Sequence, residues 1–320
     1  MKIGVVGCGA LGSYYGAKLC RDGRMVHFLL RSDYEAVRRN GLQIRSLEGD
    51  FRVHPKCARA PEEVGPCDLV LIGLKTTAND QFSRLLPPLV GADTALLTLQ
   101  NGLGNEARLA DLFGREKILG GLCFVCLNRT EPGVVEHLAH GTIVMGEYQR
   151  WPEPRTQNIA SLFRHAGVPC KVTDDLECAH WEKLIWNIPF NGLGVAGAAG
   201  YETVLSGFLR TDVTWGPCLP TDQLLGEPRW EKLVYELMKE VITVANALGL
   251  KIPASAAERQ ISRTRAMGAY KASTLIDFER HHPLELEAMF LEPLRQAQRA
   301  KVPTPRLAVL CDVLRQMEPR

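Results

Sequence analysis

Hydrophobic and polar positions alternate in a regular way over the first hundred residues of the chain. Four short, β-branched apolar runs predict strands at residues 2–6, 26–30, 69–74 and 95–99. Amphipathic segments with helical spacing separate these runs. Strands that alternate with helices form parallel sheets with helices on both faces. The pattern therefore predicts an α/β domain built on a doubly wound parallel sheet.

Beyond residue 120 the apolar pattern changes to a period of two. Turn glycines separate three such segments, which predict further strands at 123–128, 133–137 and 142–146. We expect these strands to complete the sheet, so that the first domain spans residues 1–172.

The second half of the chain consists mainly of long amphipathic stretches. They predict helices at residues 176–193, 230–248, 254–279 and 284–300. Residues 192–226 are rich in Gly, Pro and Thr, and we predict a long loop there with room for one short helix. Residues 173–320 are therefore expected to form an all-helical domain.

Composition narrows the class of protein. The 320 residues carry a formal net charge of +2 and 23% charged residues, which argues against a nucleic-acid binder. The N-terminal apolar stretch is too short for a secretory signal, and no apolar run approaches membrane-spanning length. Ten cysteines scattered through predicted core elements favour a reducing, cytoplasmic location. We interpret Cys123 and Cys126 as strand thiols and predict no metal site.

A glycine motif follows the first predicted strand and opens the first predicted helix. Gly7 would make the tight turn, Gly9 would let the backbone approach a pyrophosphate, and Gly12 would let the helix pack on the strand. The anion would lie at the helix N-terminus, where unpaired amides and the helix dipole favour negative charge. The sequence therefore predicts a dinucleotide site of the Rossmann type.

The end of the second predicted strand indicates which dinucleotide binds. A carboxylate there binds the ribose 2′-hydroxyl of NAD, whereas an arginine pairs with the additional phosphate of NADP. Here the strand ends in Arg31 and Ser32, whose guanidinium and hydroxyl suit a phosphate. NADP is favoured, although the neighbouring Asp33 leaves NAD open.

Polar residues also follow the next two predicted strands. Lys75 follows one apolar run, and Asn101 follows the other within a Gln-Asn-Gly sequence. Ligands of open α/β sheets bind beyond the carboxyl ends of the strands. Both residues are therefore candidates for the cofactor site, with ordinary loop polarity as the alternative.

Three polar residues recur every four positions inside an apolar run of the second half. At helical spacing Lys183, Asn187 and Asn191 share one face. An ammonium can stabilise and protonate the oxyanion that develops when hydride reduces a carbonyl, so Lys183 is a candidate general acid. Pro189 is expected to kink this helix. The alternative is a polar stripe that faces solvent.

Two further candidates lie downstream. Ser273 is predicted on a helix that stops near His281 and His282, because Pro283 disfavours helical geometry before it. Pro283 is then expected to open another helix with Glu285 in its first turn. Glu285 could pair with a lysine ammonium or a substrate hydroxyl, or could be an ordinary charge at a helix start.

Over nearly its whole length the chain resembles the ketopantoate reductase (2-dehydropantoate 2-reductase) family. The matching motifs are the glycine turn of Gly7, Cys8, Gly9, Ala10, Leu11 and Gly12, Arg31, the Gly-Leu-Lys sequence ending at Lys75, residues 100–104, residues 183–191, and the pair Ser273 and Glu285.

The resemblance implies a Rossmann domain and a helical domain, with NADPH and ketopantoate bound in a cleft between them and pantoate formed in pantothenate biosynthesis, on the coenzyme A pathway. It implies Lys183 as the general acid, with Glu285 contacting the lysine and the substrate hydroxyl. Asn187, Asn191 and Ser273 would bind substrate.

The same resemblance assigns the cofactor side. The glycine turn would bind NADPH, Arg31 and Lys75 would lie on the side of its 2′-phosphate, and Asn101 would bridge cofactor and substrate. The residues do not decide whether two helical domains pair, so a homodimer remains one option.

Two departures from the family pattern leave the substrate open. Residues 201–220 look longer than the usual link, and the sequence after Glu285 differs from the family's usual continuation. Both allow a different 2-oxo acid as substrate. Two more functions remain compatible with the sequence: a non-catalytic NADP-binding sensor, and a dehydrogenase that oxidises a related 3-hydroxy acid.

Overall fold

The chain folds into two compact units in the computed structural model, which describes residues 1–209 and 214–318. The first unit is Met1–Leu176 and the second is Glu177–Arg320. The predicted boundary at residue 172 is the last residue of a strand, and the division into units falls where the following helix begins.

The first unit is built on a sheet that has ten strands among the described residues. The strands are β1 (Lys2–Val6), β2 (Met25–Leu29), β3 (Leu42–Ser46), β4 (Phe51–Val53), β5 (Lys56–Ala58), β6 (Cys67–Ile72), β7 (Val90–Thr98), β8 (Ile118–Glu131), β9 (Val134–Glu147) and β10 (Cys170–Val172). Their order is β4-β3-β9-β8-β7-β6-β1-β2-β5, and β10 pairs with β9.

Six neighbouring strands of this sheet are parallel to one another: β5, β2, β1, β6, β7 and β8. Their order β5-β2-β1-β6-β7-β8 is the strand order of dinucleotide-binding sheets, which reverses between β1 and β6. Crossover connections bring β6 to the side of β1 opposite β2. The prediction of a doubly wound sheet is confirmed.

Each of these six parallel strands contributes to two hydrophobic layers. In β6, Leu69 and Leu71 pack into one layer, and Val70 and Ile72 pack into the other. Because alternate side chains of a strand point to opposite faces, a strand that is buried on both faces must be apolar throughout. The uninterrupted apolar runs of the sequence have this cause.

Helices cover both faces of the sheet. The helices of this unit are α1 (Ala10–Arg21), α2 (Tyr34–Asn40), α3 (Pro61–Val64), α4 (Phe82–Leu85), α5 (Asn105–Phe113) and α6 (Pro154–His165). Side chains of α1 and α6 pack in one layer, and side chains of α4 and α5 pack in the other.

The last part of the sheet differs from the prediction in one respect. The segments predicted separately at 133–137 and 142–146 belong to the single strand β9. Its antiparallel pairing with β8 continues past His140 and Gly141, which adopt positive φ, with a shift of register at Phe124. Gly141 therefore lies at a bulge within one strand, and not at a turn between two strands.

The second unit is helical, as predicted. Its helices are α7 (Leu176–Ala196), α8 (Tyr201–Ser206), α9 (Thr221–Gly226), α10 (Pro228–Ala247), α11 (Ala256–Arg265), α12 (Ser273–Glu279), α13 (Glu292–Arg299) and α14 (Pro305–Met317). No helix in the described part of the chain is both long and apolar enough to cross a membrane.

Helix α7 continues through Pro189 for 21 residues. Its last turns pack tightly, because a methyl group added at Gly192 or Gly194 would lie 2.6 Å from a leucine side chain. On another face, the Trp186 indole donates a hydrogen bond to the Thr264 hydroxyl at 2.9 Å, which joins α7 to α11. These contacts hold the helix in a defined rotation about its axis.

Two predictions about the second unit are wrong in detail. Residues 192–226 contain the end of α7, a 3₁₀ turn (Gly197–Ala199), α8 and α9, so they are more helical than expected. Within the long link at 201–220, residues 210–213 lie outside the described residues. The predicted helix at 254–279 is two helices, α11 and α12, because Gly268 takes a positive φ between them.

The helix predicted to open at Pro283 starts later. Residues 282–285 are not helical, and a π-helical turn (Glu287–Leu291) leads from Leu286 into α13. Glu285 thus precedes the helix and does not lie in its first turn. Its backbone carbonyl accepts a hydrogen bond from the Met289 amide at 3.3 Å. Proline suits a first helical turn, but its fixed φ equally suits the non-helical backbone found here.

Candidate active site

The glycine turn after β1 has the geometry of a phosphate-binding loop. Gly7 has φ +91°, and a Cβ there would lie 2.2 Å from the Leu74 backbone nitrogen. A Cβ at Gly12 would lie 2.3 Å from the Gly7 carbonyl oxygen. Only glycine fits at these two positions, since β1, α1 and the turn after β6 meet there.

Gly9 requires a different explanation. Its φ of −74° is open to any residue, and a Cβ built on it meets no atom within 4 Å among the described residues. Neither backbone strain nor protein packing accounts for a glycine here. The exposed backbone at Gly9 leaves room for the close approach of a ligand, as the glycine motif predicts.

Helix α1 begins immediately after Gly9. Its first turn contains no acidic residue, and the Gly9 carbonyl accepts the Ser13 amide at 3.1 Å. The amides of Ala10 and Leu11 precede the first intrahelical bond and belong to the positive end of the helix dipole. The open surface at Gly9 and this helix start fit a pyrophosphate.

The Cys8 side chain points away from the turn, into the protein. Its Sγ lies 3.4 Å from the Val5 carbonyl and 3.3 Å from the Leu29 carbonyl. Burial raises the pKa of the Cys8 thiol, so that it stays protonated at neutral pH. The side chain therefore joins the ends of β1 and β2 and adds no negative charge to the turn.

The adenosine side of the site follows β2. Arg31 and Ser32 are exposed, whereas Asp33 is only 5% exposed. One carboxylate oxygen of Asp33 accepts hydrogen bonds from the Ser32 hydroxyl and an Arg129 guanidinium nitrogen, each at 2.8 Å. The other accepts the Gly133 amide at 3.1 Å. A ribose hydroxyl would have to compete with these three donors.

Arg129 was not among the predicted site residues. It lies on β8, and its ion pair with Asp33 joins residues 96 positions apart. A single exposed arginine at the end of a long strand carries no local signal of such a contact. Strands β8 and β9 form a hairpin whose turn at Gly133 contacts Asp33 and β3, and this tertiary packing brings Arg129 to Asp33.

Lys75 and Asn101 occupy the two turns that follow β6 and β7. Lys75 is exposed and precedes a 3₁₀ helix (Thr76–Gln81). Asn101 is half-buried, and its backbone carbonyl accepts a hydrogen bond from the Asn105 side chain at 3.0 Å. The structure thus puts both residues at the carboxyl edge of the parallel sheet, as predicted.

A chain of side-chain amides links these two turns. The Gln100 amide donates to the Leu74 carbonyl at 3.0 Å and to Asn79 at 2.7 Å, while its own oxygen accepts the Thr98 hydroxyl at 2.9 Å. Asn79 in turn donates to Asn105 at 2.8 Å. Buried amides with this many partners hold the backbone in one conformation.

The polar face of α7 is largely buried. Lys183 is half-buried, Asn187 is 6% exposed and Asn191 is 2% exposed. A solvent-facing stripe is therefore excluded for the two asparagines. No hydrogen bond to the Asn187 carboxamide is found among the described residues. Its polar atoms are also not among the fully enclosed, unpartnered atoms of the described residues, so the carboxamide keeps some access for solvent or a ligand.

Asn191 connects α7 to α12. Its side-chain oxygen accepts the Thr274 backbone amide at 3.1 Å, in the first turn of α12. Ser273, the preceding residue, is exposed at the first position of the same helix. The structure thus brings Asn191 and Ser273 to one junction, and it leaves the Asn191 NH₂ group as the donor that could meet a ligand.

Glu285 is 5% exposed, in the non-helical segment before the π-helical turn. Glutamates are rarely this buried unless they are paired. The position is thus compatible with a functional role, although it differs from the helical one that the sequence predicts.

Strand order and the glycine turn together define a dinucleotide-binding protein of the Rossmann type. Comparisons with known proteins identify the family. The ketopantoate reductase PanE/ApbA family matches residues 3–150, and its C-terminal domain matches residues 218–318. The chain belongs to the ketopantoate reductase family.

Individual relatives agree over the full length. A 2-dehydropantoate 2-reductase of Nostoc sp. is 38% identical over 329 aligned residues, which cover 100% of this chain and 96% of the relative. The crystal structure of 2-dehydropantoate 2-reductase from Geobacter metallireducens is 48% identical with a TM-score of 0.90, and 99% of each chain is covered. That from Methylococcus capsulatus is 32% identical with a TM-score of 0.85, covering 99% of this chain and 97% of its own.

Proposed function

We propose that the protein reduces 2-dehydropantoate to pantoate with NADPH, a step of pantothenate biosynthesis. Family membership and the full-length relatives named 2-dehydropantoate 2-reductase support this activity. The structural observation that carries the proposal is the face of α7. There a lysine stands one helical turn before a buried carboxamide to which the described residues make no hydrogen bond.

The first unit would bind the cofactor. The turn from Gly7 to Gly12 would receive the pyrophosphate, and Arg31 would pair with the 2′-phosphate, with Lys75 on the same side. Asn101 would contact both cofactor and substrate. The full engagement of Asp33 by protein donors supports NADPH over NADH. NADPH supplies the hydride when it is bound.

The second unit would supply the proton and hold the substrate. Reduction places negative charge on the carbonyl oxygen, which the Lys183 ammonium would stabilise and then protonate. Asn187 would donate to the substrate through its carboxamide. Asn191 would use its NH₂ group, because its oxygen already accepts the Thr274 amide. Ser273 would bind the substrate carboxylate.

Glu285 would serve the other end of the substrate. A buried carboxylate can accept a hydrogen bond from the 4-hydroxyl of 2-dehydropantoate and can pair with the Lys183 ammonium. We therefore propose residues 1–172 as the NADP-binding domain and residues 173–320 as the substrate domain. Ten free cysteines support a reducing, cytoplasmic location, and a homodimer stays a prediction.

A substrate panel tests this function. We expect NADPH oxidation with 2-dehydropantoate, and kcat/KM at least about 100-fold lower with 3,3-dimethyl-2-oxobutanoate, which lacks only the hydroxyl. NADH should be a poor substitute for NADPH. The matched pair of acids isolates the hydroxyl contact, since chain length and branching are the same.

Contrary results from this panel would each indicate a particular different function. Faster turnover with another 2-oxo acid would identify a different substrate. Tight NADPH binding without oxidation by any acid would indicate a sensor. Faster oxidation of a 3-hydroxy acid with NADP⁺ than reduction of any 2-oxo acid, at several pH values, would indicate a dehydrogenase.

A further inference from the structure

The ion pair between Asp33 and Arg129 lies directly beside the predicted 2′-phosphate site. Ser32, the neighbour of Arg31, is within 3.4 Å of one Arg129 guanidinium nitrogen, and the same nitrogen is 2.8 Å from the Asp33 carboxylate. Ser32 also donates its hydroxyl hydrogen to Asp33. Ser32, Asp33 and Arg129 thus form a small network of hydrogen bonds next to Arg31.

The charges in this network differ in exposure. The Asp33 side chain is 6% exposed and the Arg129 side chain is 43% exposed. The negative partner is therefore enclosed, while the positive partner still reaches solvent. Without Arg129, an uncompensated carboxylate would remain within one residue of Ser32 and two of Arg31, where it would repel a phosphate.

The hairpin fixes the orientation of the carboxylate. Gly133, at the turn between β8 and β9, donates its amide to the second Asp33 oxygen at 3.1 Å. The Gly133 carbonyl in turn accepts the Gln43 amide at 2.9 Å, which ties the turn to β3. The hairpin of β8 and β9 therefore supplies two of the three donors to Asp33.

We propose that Arg129 is a positioning residue for cofactor selectivity: it neutralises Asp33 and holds it away from the ribose, so that the site after β2 accepts the 2′-phosphate of NADPH. An acidic residue in this position otherwise favours NAD. Arg129 acts through Asp33, and the inference rests on the proposed NADPH dependence.

Three variants test this role in the full-length protein. Arg129→Ala should raise the Kd of NADPH roughly 10- to 100-fold and change the Kd of NADH less than about 3-fold, because only NADPH carries the repelled phosphate. The double variant Asp33→Asn/Arg129→Ala should recover most of the NADPH affinity, since it removes the repelling charge. Arg129→Lys should retain part of the selectivity.

The measurement is titration of NADPH and NADH by fluorescence, together with thermal unfolding of each variant. Arg45→Ala is the matched control. Arg45 is a half-exposed arginine on β3, and within the described residues its ion pairs are with Glu131 of β8 and Glu136 of β9. We expect it to leave the ratio of the two dissociation constants unchanged.

Distinct results would overturn the proposal. Equal weakening of both cofactors by Arg129→Ala would reduce Arg129 to a structural role. A double variant as weak as the single one would mean that Arg129 does not act through Asp33. If the wild-type protein itself does not prefer NADPH, the proposed cofactor falls as well. If it prefers NADPH and Arg129→Ala keeps that preference, only the inference about Arg129 falls.

Discussion

Arg31 is the side chain proposed to contact the 2′-phosphate, so changing its charge tests the cofactor assignment most directly. It is exposed at the end of β2, next to Ser32. Arg31→Asp should weaken NADPH at least about 100-fold, because a favourable contact with the 2′-phosphate becomes a repulsion. NADH lacks this phosphate, so its affinity should change by less than about 3-fold. Fluorescence titration of both cofactors measures the difference.

Arg38→Asp provides the control for Arg31. Arg38 is 56% exposed on α2, in the same region of the first unit, and pairs with Glu35. Arg38→Asp changes the net charge by the same amount as Arg31→Asp, but at a position away from the proposed phosphate. Equal losses for NADPH and NADH in Arg31→Asp would refute the phosphate assignment.

Local sequence indicates residue types better than it indicates residue partners. The glycine motif and Arg31 could be found because a strand, a turn and a helix follow one another within about thirty residues. The competing assignment of Asp33 to a ribose could not be resolved in this way. Its donors Arg129 and Gly133 are 96 and 100 positions away.

The junction of α7 and α12 depends on one side chain. Asn191→Ala should lower the free energy of unfolding by about 1–2 kcal/mol, because the Thr274 amide in the first turn of α12 loses its acceptor. It should also raise KM for 2-dehydropantoate, since Ser273 begins the same helix. Urea unfolding and steady-state kinetics measure the two effects.

Asn191→Asp separates the two functions of this residue. The aspartate keeps the acceptor oxygen, and its charge is favourable at a helix N-terminus, so stability should be retained. Activity should still fall, because the proposed NH₂ donor is lost. A loss of stability as large as that of Asn191→Ala would contradict the assigned contact.

Elements with a single strong periodicity were predicted, and elements set by long-range pairing were missed. Four parallel strands have continuous apolar runs because both faces are buried. The short strands β3, β4, β5 and β10 carry polar residues and exist through pairing with distant partners. The break between α11 and α12 was missed, since amphipathic spacing continues across it. Pro283 does not open a helix because its fixed φ suits non-helical backbone as well as a helix start.

At the scale of the whole molecule, the proposed chemistry is divided between two units. The residues proposed for NADPH belong to Met1–Leu176, and those proposed for proton transfer and substrate binding belong to Glu177–Arg320. The change from α/β to helical patterning predicts a division at residue 172, and the compact units divide at Leu176. The burial of Asn187 and Asn191 could not be predicted, because an amphipathic pattern does not show whether its polar stripe faces solvent or packs inside the protein.

The central claim is that Lys183 supplies the proton for carbonyl reduction in a protein that binds NADPH independently of this lysine. The direct measurement is kcat for 2-dehydropantoate together with the Kd of NADPH, for Lys183→Ala and for the matched control Glu182→Ala, whose residue is exposed next to Lys183 on α7. We expect kcat to fall by about 100- to 10,000-fold in Lys183→Ala, with the Kd of NADPH within about 2-fold of wild type. Glu182→Ala should retain both values. Turnover by Lys183→Ala at the wild-type rate would contradict the account.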